Sequence, residues 1–468
     1  MKHTFIYNII NDKVIQRKIC ILETLNNGGD FVSSQYLANL LQCTVRTVVK
    51  DISELKRELP DNWNIIGVAN KGYVLHKPLT ESLYVKIGDY LSQSIIYRVI
   101  IKDFNNRHYT LEKWSQIIYM NKITLKDKLK VYAHILNESN INFKYEQLEL
   151  SGKEFNIRYY YCVFFYTTGK YINYSVLPVL LKRKLLFLFN SHSIIINHEA
   201  AIYIIYVFIS RIMNKKYISE NLDISFFNEE YVLFFNSIIS IIEDFYKIKL
   251  HENEKKALMF FLFFVIKLDY SELVIDFLKP SYQKLYERYE KLICLLTNSN
   301  VHTETGKKLF SNLLPYLLKL YFYNRYHIAI GYVFEPLHDS QSILLHGYNK
   351  NLSEISYWNK SFCKGIFNNR EIEFIAAHAT LIINSTFKKH VLFLFAGNNA
   401  MGKIMYSKLK KGLGNNIKIY SQPNDDLKFD IIISNYKHEH EGVNTPTIYI
   451  SETLCEKEIL LIRNLIYA

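Results

Sequence analysis

The stretch Phe31–Leu59, FVSSQYLANLLQCTVRTVVKDISELKREL, constrains this chain most. Apolar residues recur at helical spacing on both sides of Gln42–Cys43, which leaves room for two helices joined by a short turn. Ser33 or Ser34 can cap the first helix, whose Leu37, Leu40 and Leu41 are expected to face inward, with Ala38 small enough for a close helix crossing. Thr44 can cap the second helix, where Val45, Val48, Ile52 and Leu55 are expected to form the buried stripe and Arg46, Thr47 and Lys50 to lie outside it. This is the layout of a helix-turn-helix, whose second helix enters the major groove. Residues 62–77 then read as a two-stranded hairpin turning at Asn70–Lys71–Gly72, a wing with Lys71 at its tip. A plain helical hairpin with a solvated basic face would account for the helices alone. The order helix, turn, helix, wing favours double-stranded DNA, with Thr44, Arg46, Thr47, Lys50 and Lys71 as its contacts.

A weaker second copy lies at Tyr109–Leu136, where Leu125, Leu129, Tyr132 and Leu136 make one apolar stripe and Lys126, Lys128 and Lys130 point elsewhere. A hairpin pattern at Asn142–Ser151 follows it. Residues 100–135 hold 7 basic and 3 acidic residues, a local excess of +4, within a chain whose net charge is +13. Lysines in this setting suit phosphate contacts better than base reading. A solvated helix face explains any single one of them equally well.

From about Glu154 to Lys388 the spacing is helical almost throughout and rich in Tyr and Phe, with breaks at Pro280 and Thr297–Thr305. From His390 the chain changes character: VLFLFAG, NIKIYSQ, FDIIISN and PTIYIS are short apolar strands with helical segments among them, the pattern of a small parallel α/β domain. The first of these strands runs into Gly397–Asn–Asn–Ala–Met–Gly402–Lys403–Ile404, one residue away from a phosphate-binding P-loop. Ile404 stands where Ser or Thr would bind Mg²⁺, and Asp430 comes before its apolar run instead of after it, so nucleotide hydrolysis is not expected. The six cysteines are scattered with no C-x-x-C pair, and His438 and His440 lack further ligands at recognisable spacing, so neither a disulfide framework nor a metal site is expected. Neither catalysis nor a cofactor is indicated. The longest apolar runs fall far below the roughly 18 residues a membrane span needs. With no leader pattern at the start, a cytoplasmic protein is expected. His198 and His378 lie in the helical midsection; a ring nitrogen there can accept a phosphate, and a hydrogen-bonded helix histidine is the plainer alternative.

The order of parts resembles the AtxA/Mga class of virulence transcription regulators. The residues that carry the resemblance are ELPDNWNIIGVANKGYVLHKPLTESL (58–83), LELSGKEFNIR (148–158), LHENEKKALMFFLFF (250–264) and FDIIISN (429–435). It implies a mostly helical, multidomain chain with five parts. Residues 1–80 would be a winged helix-turn-helix, 81–157 a second helix-turn-helix, 158–276 and 277–388 two all-helical PRD regulatory modules, and 389–468 a small EIIB-like α/β domain. It further implies a homodimer formed through that last domain and an activator acting on promoter DNA of virulence or capsule genes. Control would come from the phosphocarrier protein of the sugar phosphotransferase system, which phosphorylates histidines in the modules. His378, at the family's spacing from Glu371, would be the second phospho-histidine, linked to weaker dimerisation and lower activity. His198, one residue out of register against Ser210–Arg211, would be the first, linked to activity, with His251 a lesser candidate. True EIIB chemistry needs a cysteine in the loop after the first strand; none stands between Cys363 and Cys455, so that domain is expected to act as a scaffold. Two other readings remain at this point: a nucleotide-driven switch using Gly397–Lys403, and an RNA-binding antiterminator with PRD modules. The second is disfavoured because such proteins begin with a small β-rich RNA module.

Overall fold

The structure is a computed structural model that describes residues 5–27, 31–220, 229–266, 283–297, 347–386, 389–413, 417–423, 429–436 and 445–451, with shorter pieces between 222 and 465. The chain forms two compact units, residues 1–268 with 321–335, and residues 269–320 with 336–468.

In the first unit, helices α1 (Phe5–Ile10), α2 (Lys13–Asn27), α3 (Ser34–Leu40) and α4 (Val45–Glu58) precede the antiparallel hairpin β1 (Asn64–Val68) and β2 (Gly72–His76). Ser33 Oγ accepts from Tyr36 N at 3.1 Å, and Thr44 Oγ1 accepts from Thr47 N at 3.2 Å, so both expected caps form. Leu37, Ala38, Leu41, Val48, Ile52 and Leu55 are buried as expected. Two expectations are corrected. Leu40 is 42% exposed and Val45 is 37% exposed. At about 100° per residue, Leu40 lies some 100° from the centre of the Leu37–Ala38–Leu41 face, and Val45 lies at the margin of the Val48–Asp51–Ile52–Leu55 face. Val32 pairs with Tyr73 through two backbone hydrogen bonds of 2.8 and 2.9 Å, which ties the wing to the entry of α3. Gly72 makes this possible: its φ is +113°, and a Cβ there would lie 2.2 Å from the Val32 carbonyl oxygen.

Helices α5 (Leu83–Gln93), α6 (Ile95–Phe104), α7 (Leu111–Ile117) and α8 (Lys122–Asn137) follow, then the hairpin β3 (Asn142–Lys144) and β4 (Glu149–Ser151). Leu125, Leu129, Tyr132 and Leu136 of α8 are all buried, as their spacing predicted. Next comes α9 (Glu154–Thr168), which runs across the expected domain boundary at 157/158 and is buried on nearly every side. Its Tyr160 hydroxyl meets that of Tyr132 on α8 at 2.6 Å, and its Tyr161 hydroxyl donates to Asp103 of α6 at 2.5 Å. Helices α10 (Val179–Ser191), α11 (His198–Met213), α12 (Glu229–Tyr246) and α13 (Glu252–Phe263) complete the described part of this unit's helical module. Phe155 of α9 and Phe208 of α11 both pack edge-on against Phe261 of α13, with ring centroids 5.1 Å apart in each pair.

At the centre of this packing sits Arg158 of α9, fully buried. Its guanidinium donates to Glu254 of α13 at 2.5 and 3.0 Å, to Glu154 at 3.0 Å and to the Lys216 carbonyl at 2.7 Å. Arg211 of α11 holds the same Glu154 through a fork of 2.8 and 2.7 Å.

The second unit contains α14 (Gln283–Thr297), α15 (Tyr348–Phe362) and α16 (Asn369–Thr386), and then the sheet domain. Trp358 of α15 is buried and donates Nε1–H to the Arg288 carbonyl of α14 at 2.7 Å. Strands β5 (Lys389–Leu394), β6 (Ile417–Tyr420), β7 (Ile431–Ser434) and β8 (Thr447–Tyr449) form one parallel sheet in the order β6-β5-β7-β8. Helix α17 (Asn399–Leu413) connects β5 to β6, and its Met405, Leu409 and Leu413 pack with Val391, Phe393, Ile431 and Ile433. The parallel α/β end read from the strand pattern is therefore present. Pro280, most of the 297–305 gap and the boundary at 276/277 lie outside the described residues.

Replacing Arg158 with Met should destabilise the first unit by about 3–5 kcal/mol, because Glu254 is left charged and unpaired in the interior. Adding Glu254→Gln to that variant should recover part of the loss in urea unfolding. Gly72→Ala should cost about 2 kcal/mol in the same measurement, since both the positive φ and the Val32 contact oppose a side chain.

Candidate nucleic-acid interface

The second helix of the first helix-turn-helix carries acids as well as bases, and the fold separates the two. Asp51 is buried and takes a fork of hydrogen bonds from Arg17 of α2, at 2.7 and 3.2 Å. Glu54 and Glu58 both accept from the buried Lys18, at 2.9 and 2.6 Å, and the Tyr90 hydroxyl of α5 also donates to Glu58. The Lys18 hydrogen bond holds the Glu54 carboxyl below its usual range, and the hydrogen bond to Asp51 raises the Arg17 guanidinium further. The carboxylates of α4 are thus met from the α2 side, while Arg46 and Lys50 are exposed on the outer side. Lys50 keeps only a 3.9 Å approach to Glu54, with three quarters of its side chain in solvent. An open groove of about 490 Å³ runs along the start of α4, lined by Val14, Arg17, Thr44, Arg46, Thr47, Lys50, Asp51 and Glu54.

Thr44, Arg46, Thr47 and Lys50 therefore come together at one end of α4. Thr44 and Thr47 are partly committed: besides the cap, their hydroxyls lie 2.9 Å apart. Lys71 is exposed in the turn between β1 and β2. In the second helix-turn-helix the three lysines differ. Lys126 is exposed and lies 5.9 Å from the Tyr145 ring centre; Lys130 is exposed and 3.6 Å from Asp127. Lys128 is half-buried, 4.0 Å from Asp12, and its carbonyl accepts from Asn11 at 3.2 Å, so it also joins α8 to the α1–α2 turn. Sequence reasoning missed Arg17 and Lys18. The only available signal was two adjacent cations on a helix next to one bearing Asp51, Glu54 and Glu58 at spacings of three and four.

His378 lies half-buried on α16, with its ring 4.2 Å from that of Phe374 and Nδ1 3.3 Å from the Phe374 carbonyl oxygen. Burial lowers its pKa from the usual value, favouring the neutral ring. Glu371, whose spacing drew attention to His378, is engaged otherwise. Its carboxylate accepts from Asn368 N at 2.8 Å while Asn368 Oδ1 accepts from Glu371 N at 3.0 Å, a reciprocal cap on α16. His198 is the first residue of α11, half-buried beside the Phe189 ring at 5.5 Å. His251 stands at the N-cap position of α13, exposed, with its ring edge-on to Tyr217.

In the P-loop look-alike, Asn435 at the end of β7 bonds both Ala396 N and Ala396 O, at 2.7 and 2.8 Å. Ile404 is half-exposed where a metal-binding hydroxyl would be needed. Asp430 sits at the other end of the strands, accepting from His390 N at 2.8 Å. Among the described residues no three of His, Cys, Asp and Glu group as metal ligands, and His438 and His440 lie outside them. No described helix is long and apolar enough to cross a membrane.

Residues 17–74 match the family described as HTH domain, and residues 81–165 match the Mga helix-turn-helix domain. The chain is similar to a trans-acting positive regulator of anthrax toxin expression from Bacillus anthracis, 27% identical over 142 residues, 30% of each chain. It is also similar to the capsule synthesis positive regulators AcpB, 24% identical over 150 residues, and AcpA, 25% over 146, from the same organism. Those matches cover 32% and 31% of this chain and 31% and 30% of the relatives, so the chain spans about 30% of the length of the curated relatives it matches. Its N-terminal region carries an HTH domain followed by an Mga helix-turn-helix domain.

Proposed function

We propose that this protein is a DNA-binding transcription regulator, a positive regulator of virulence or capsule genes, that works as a homodimer and is set by phosphorylation of its helical modules. One observation carries the DNA reading: the acids of α4 are neutralised by Arg17 and Lys18, while Arg46, Lys50 and the wing residue Lys71 face solvent. A phosphate backbone meeting that surface finds exposed cations, while Asp51, Glu54 and Glu58 are already bonded to Arg17 and Lys18. The relatives, named as positive regulators of toxin and capsule synthesis, support the direction of control. With two helix-turn-helix units per subunit, a dimer would present four, enough to hold a long or bent site. Phosphate contacts and shape would supply much of the affinity.

For regulation, His378 and His198 are the proposed phosphate acceptors and the phosphocarrier protein the proposed donor. The His378 ring, with Nδ1 3.3 Å from the Phe374 carbonyl oxygen, is held in a fixed orientation on α16. His198 at the first turn of α11 would place a phosphate where a helix favours negative charge. The sheet domain, which lacks the cysteine of a phosphotransfer loop, would serve to pair subunits.

The combined Arg46→Ala and Lys50→Ala change should weaken binding to promoter DNA at least tenfold at moderate salt and reduce the slope of log affinity against log salt by about 1–2. Unchanged binding and slope would remove the first helix-turn-helix from the interface. For the regulatory half, incubation with the phosphocarrier system followed by mass spectrometry should place an acid-labile phosphate on His378, absent from His378→Ala. A parent chain that takes no phosphate would end that part of the reading.

A further inference from the structure

Two valines on α4 lie outside its fully buried stripe. Val45 is 37% exposed and Val49 is 44% exposed, and both flank the cations of the same face. At about 100° per residue, Val45, Arg46, Val49, Lys50 and Ser53 fall within an arc of about 140°. Val48, Asp51, Ile52 and Leu55 fill the opposite side and are buried. The outward face of α4 therefore alternates an apolar branched side chain with a cation, twice, one turn apart. β-Branched residues are weak helix formers, so a solvated helix face gains nothing from them. Their position matters as much as their type: Val45 is the first residue of α4, Val49 lies one turn on, and the N-terminal residues of such a helix are those that reach base edges.

We propose that Val45 and Val49 read thymine methyl groups in the major groove, making the first helix-turn-helix selective for thymine at two neighbouring positions of its site. This rests on the DNA-binding reading above and specifies it. Of the four bases only thymine presents a C5-methyl group in the major groove, and an apolar side chain against it buries surface on both partners. The same valine against cytosine covers the N4 amino donor without offering it an acceptor, which penalises that base. Arg46 and Lys50, beside the valines, hold the phosphates or guanine edges that fix the register. The hydroxyls of Thr44 and Thr47 are committed to each other and to the cap.

The test uses the full chain and a duplex it selects from a randomised library. Each thymine of the site is replaced in turn by deoxyuridine, which removes the methyl group and keeps every hydrogen-bonding edge. At one or two positions the parent should lose about fourfold in affinity per methyl removed. The Val45→Ala/Val49→Ala variant, whose melting temperature is checked against the parent, should bind the thymine duplex about as the parent binds the deoxyuridine one. It should show no further loss on methyl removal. A parent indifferent to every methyl, or a variant that keeps the parent's full methyl dependence, overturns the proposal while DNA binding stands. Failure of the underlying reading shows separately: a parent that selects no duplex ends DNA binding, and Arg46→Ala plus Lys50→Ala binding unchanged removes the first helix-turn-helix from the interface; in either case the proposal falls with it.

Discussion

A fully buried arginine can persist only where its charge and its donors are met, and Arg158 is met by two carboxylates and a carbonyl. Glu254 contributes more than charge. Its Oε1 also accepts from Ile218 N at 2.7 Å, so one carboxylate fixes α9, α13 and the loop after α11 together. Glu154 does the same between α9 and α11 through Arg211. Both guanidiniums also lie over rings, Arg158 over Phe208 at 4.6 Å and Arg211 over Tyr161 at 5.4 Å. In such a place hydrophobic residues could give equal stability; the ion pairs instead fix α9, α11 and α13 to one another through directional bonds.

The ion pairs also reach the helix-turn-helix half of the first unit. Helix α9 belongs to both halves. Its Tyr161 donates to Asp103, which also accepts from Leu150 N of β4 at 3.3 Å, and burial raises the Asp103 carboxyl. Its Tyr160 meets Tyr132 of α8. The second helix-turn-helix and its hairpin are therefore bonded to the same helix that organises α11 and α13. Contiguity is not coupling in itself, but a rearrangement of α11 cannot leave α9 untouched while Arg211 and Glu154 remain paired.

Much of this was legible in the sequence, for reasons that differ by residue. Thr44 and Ser33 were readable because a capping hydroxyl acts on the two or three residues after it. Gly72 marked its turn, although not the closeness of Val32, which depends on a segment 40 residues away. Leu40 and Val45 were misplaced because a type-based pattern counts every apolar residue as inward, and the helix period alone shows which ones lie at the margin. Arg158 was invisible in function: nothing local distinguishes a buried arginine from a solvated one, and its partner Glu254 is 96 residues distant. Glu371 was noticed for its spacing to His378, whereas the signal that decided its place, Asn368 three residues before it, was a capping box in plain view. At the candidate interface, Arg46, Lys50 and Lys71 were singled out by their place on a helix and a turn, and all three are exposed. Arg17 and Lys18, which pair with Asp51, Glu54 and Glu58, were not, because pairing across helices is a tertiary fact.

The two proposed phosphate acceptors differ in setting, and the difference argues for opposite effects. A phosphate brings about −1.5 to −2 charges and needs donors or water around it. At His198 it would stand in the first turn of α11, which Asn197 caps at Ala200 N, and where the helix dipole favours an anion by about 0.3–1 kcal/mol. At His378 it would stand about two and a half turns into α16, its ring against Phe374 and partly out of water, away from the helix end. The first modification can be absorbed in place. The second has to turn the ring outward or disturb the packing around it, and burial, which lowers the ring's pKa by opposing charge there, opposes the phosphate for the same reason. On the proposed mechanism, the helix end would bind its charge and the helix middle would reject it, so one chemistry applied to two histidines would push the regulator in two directions.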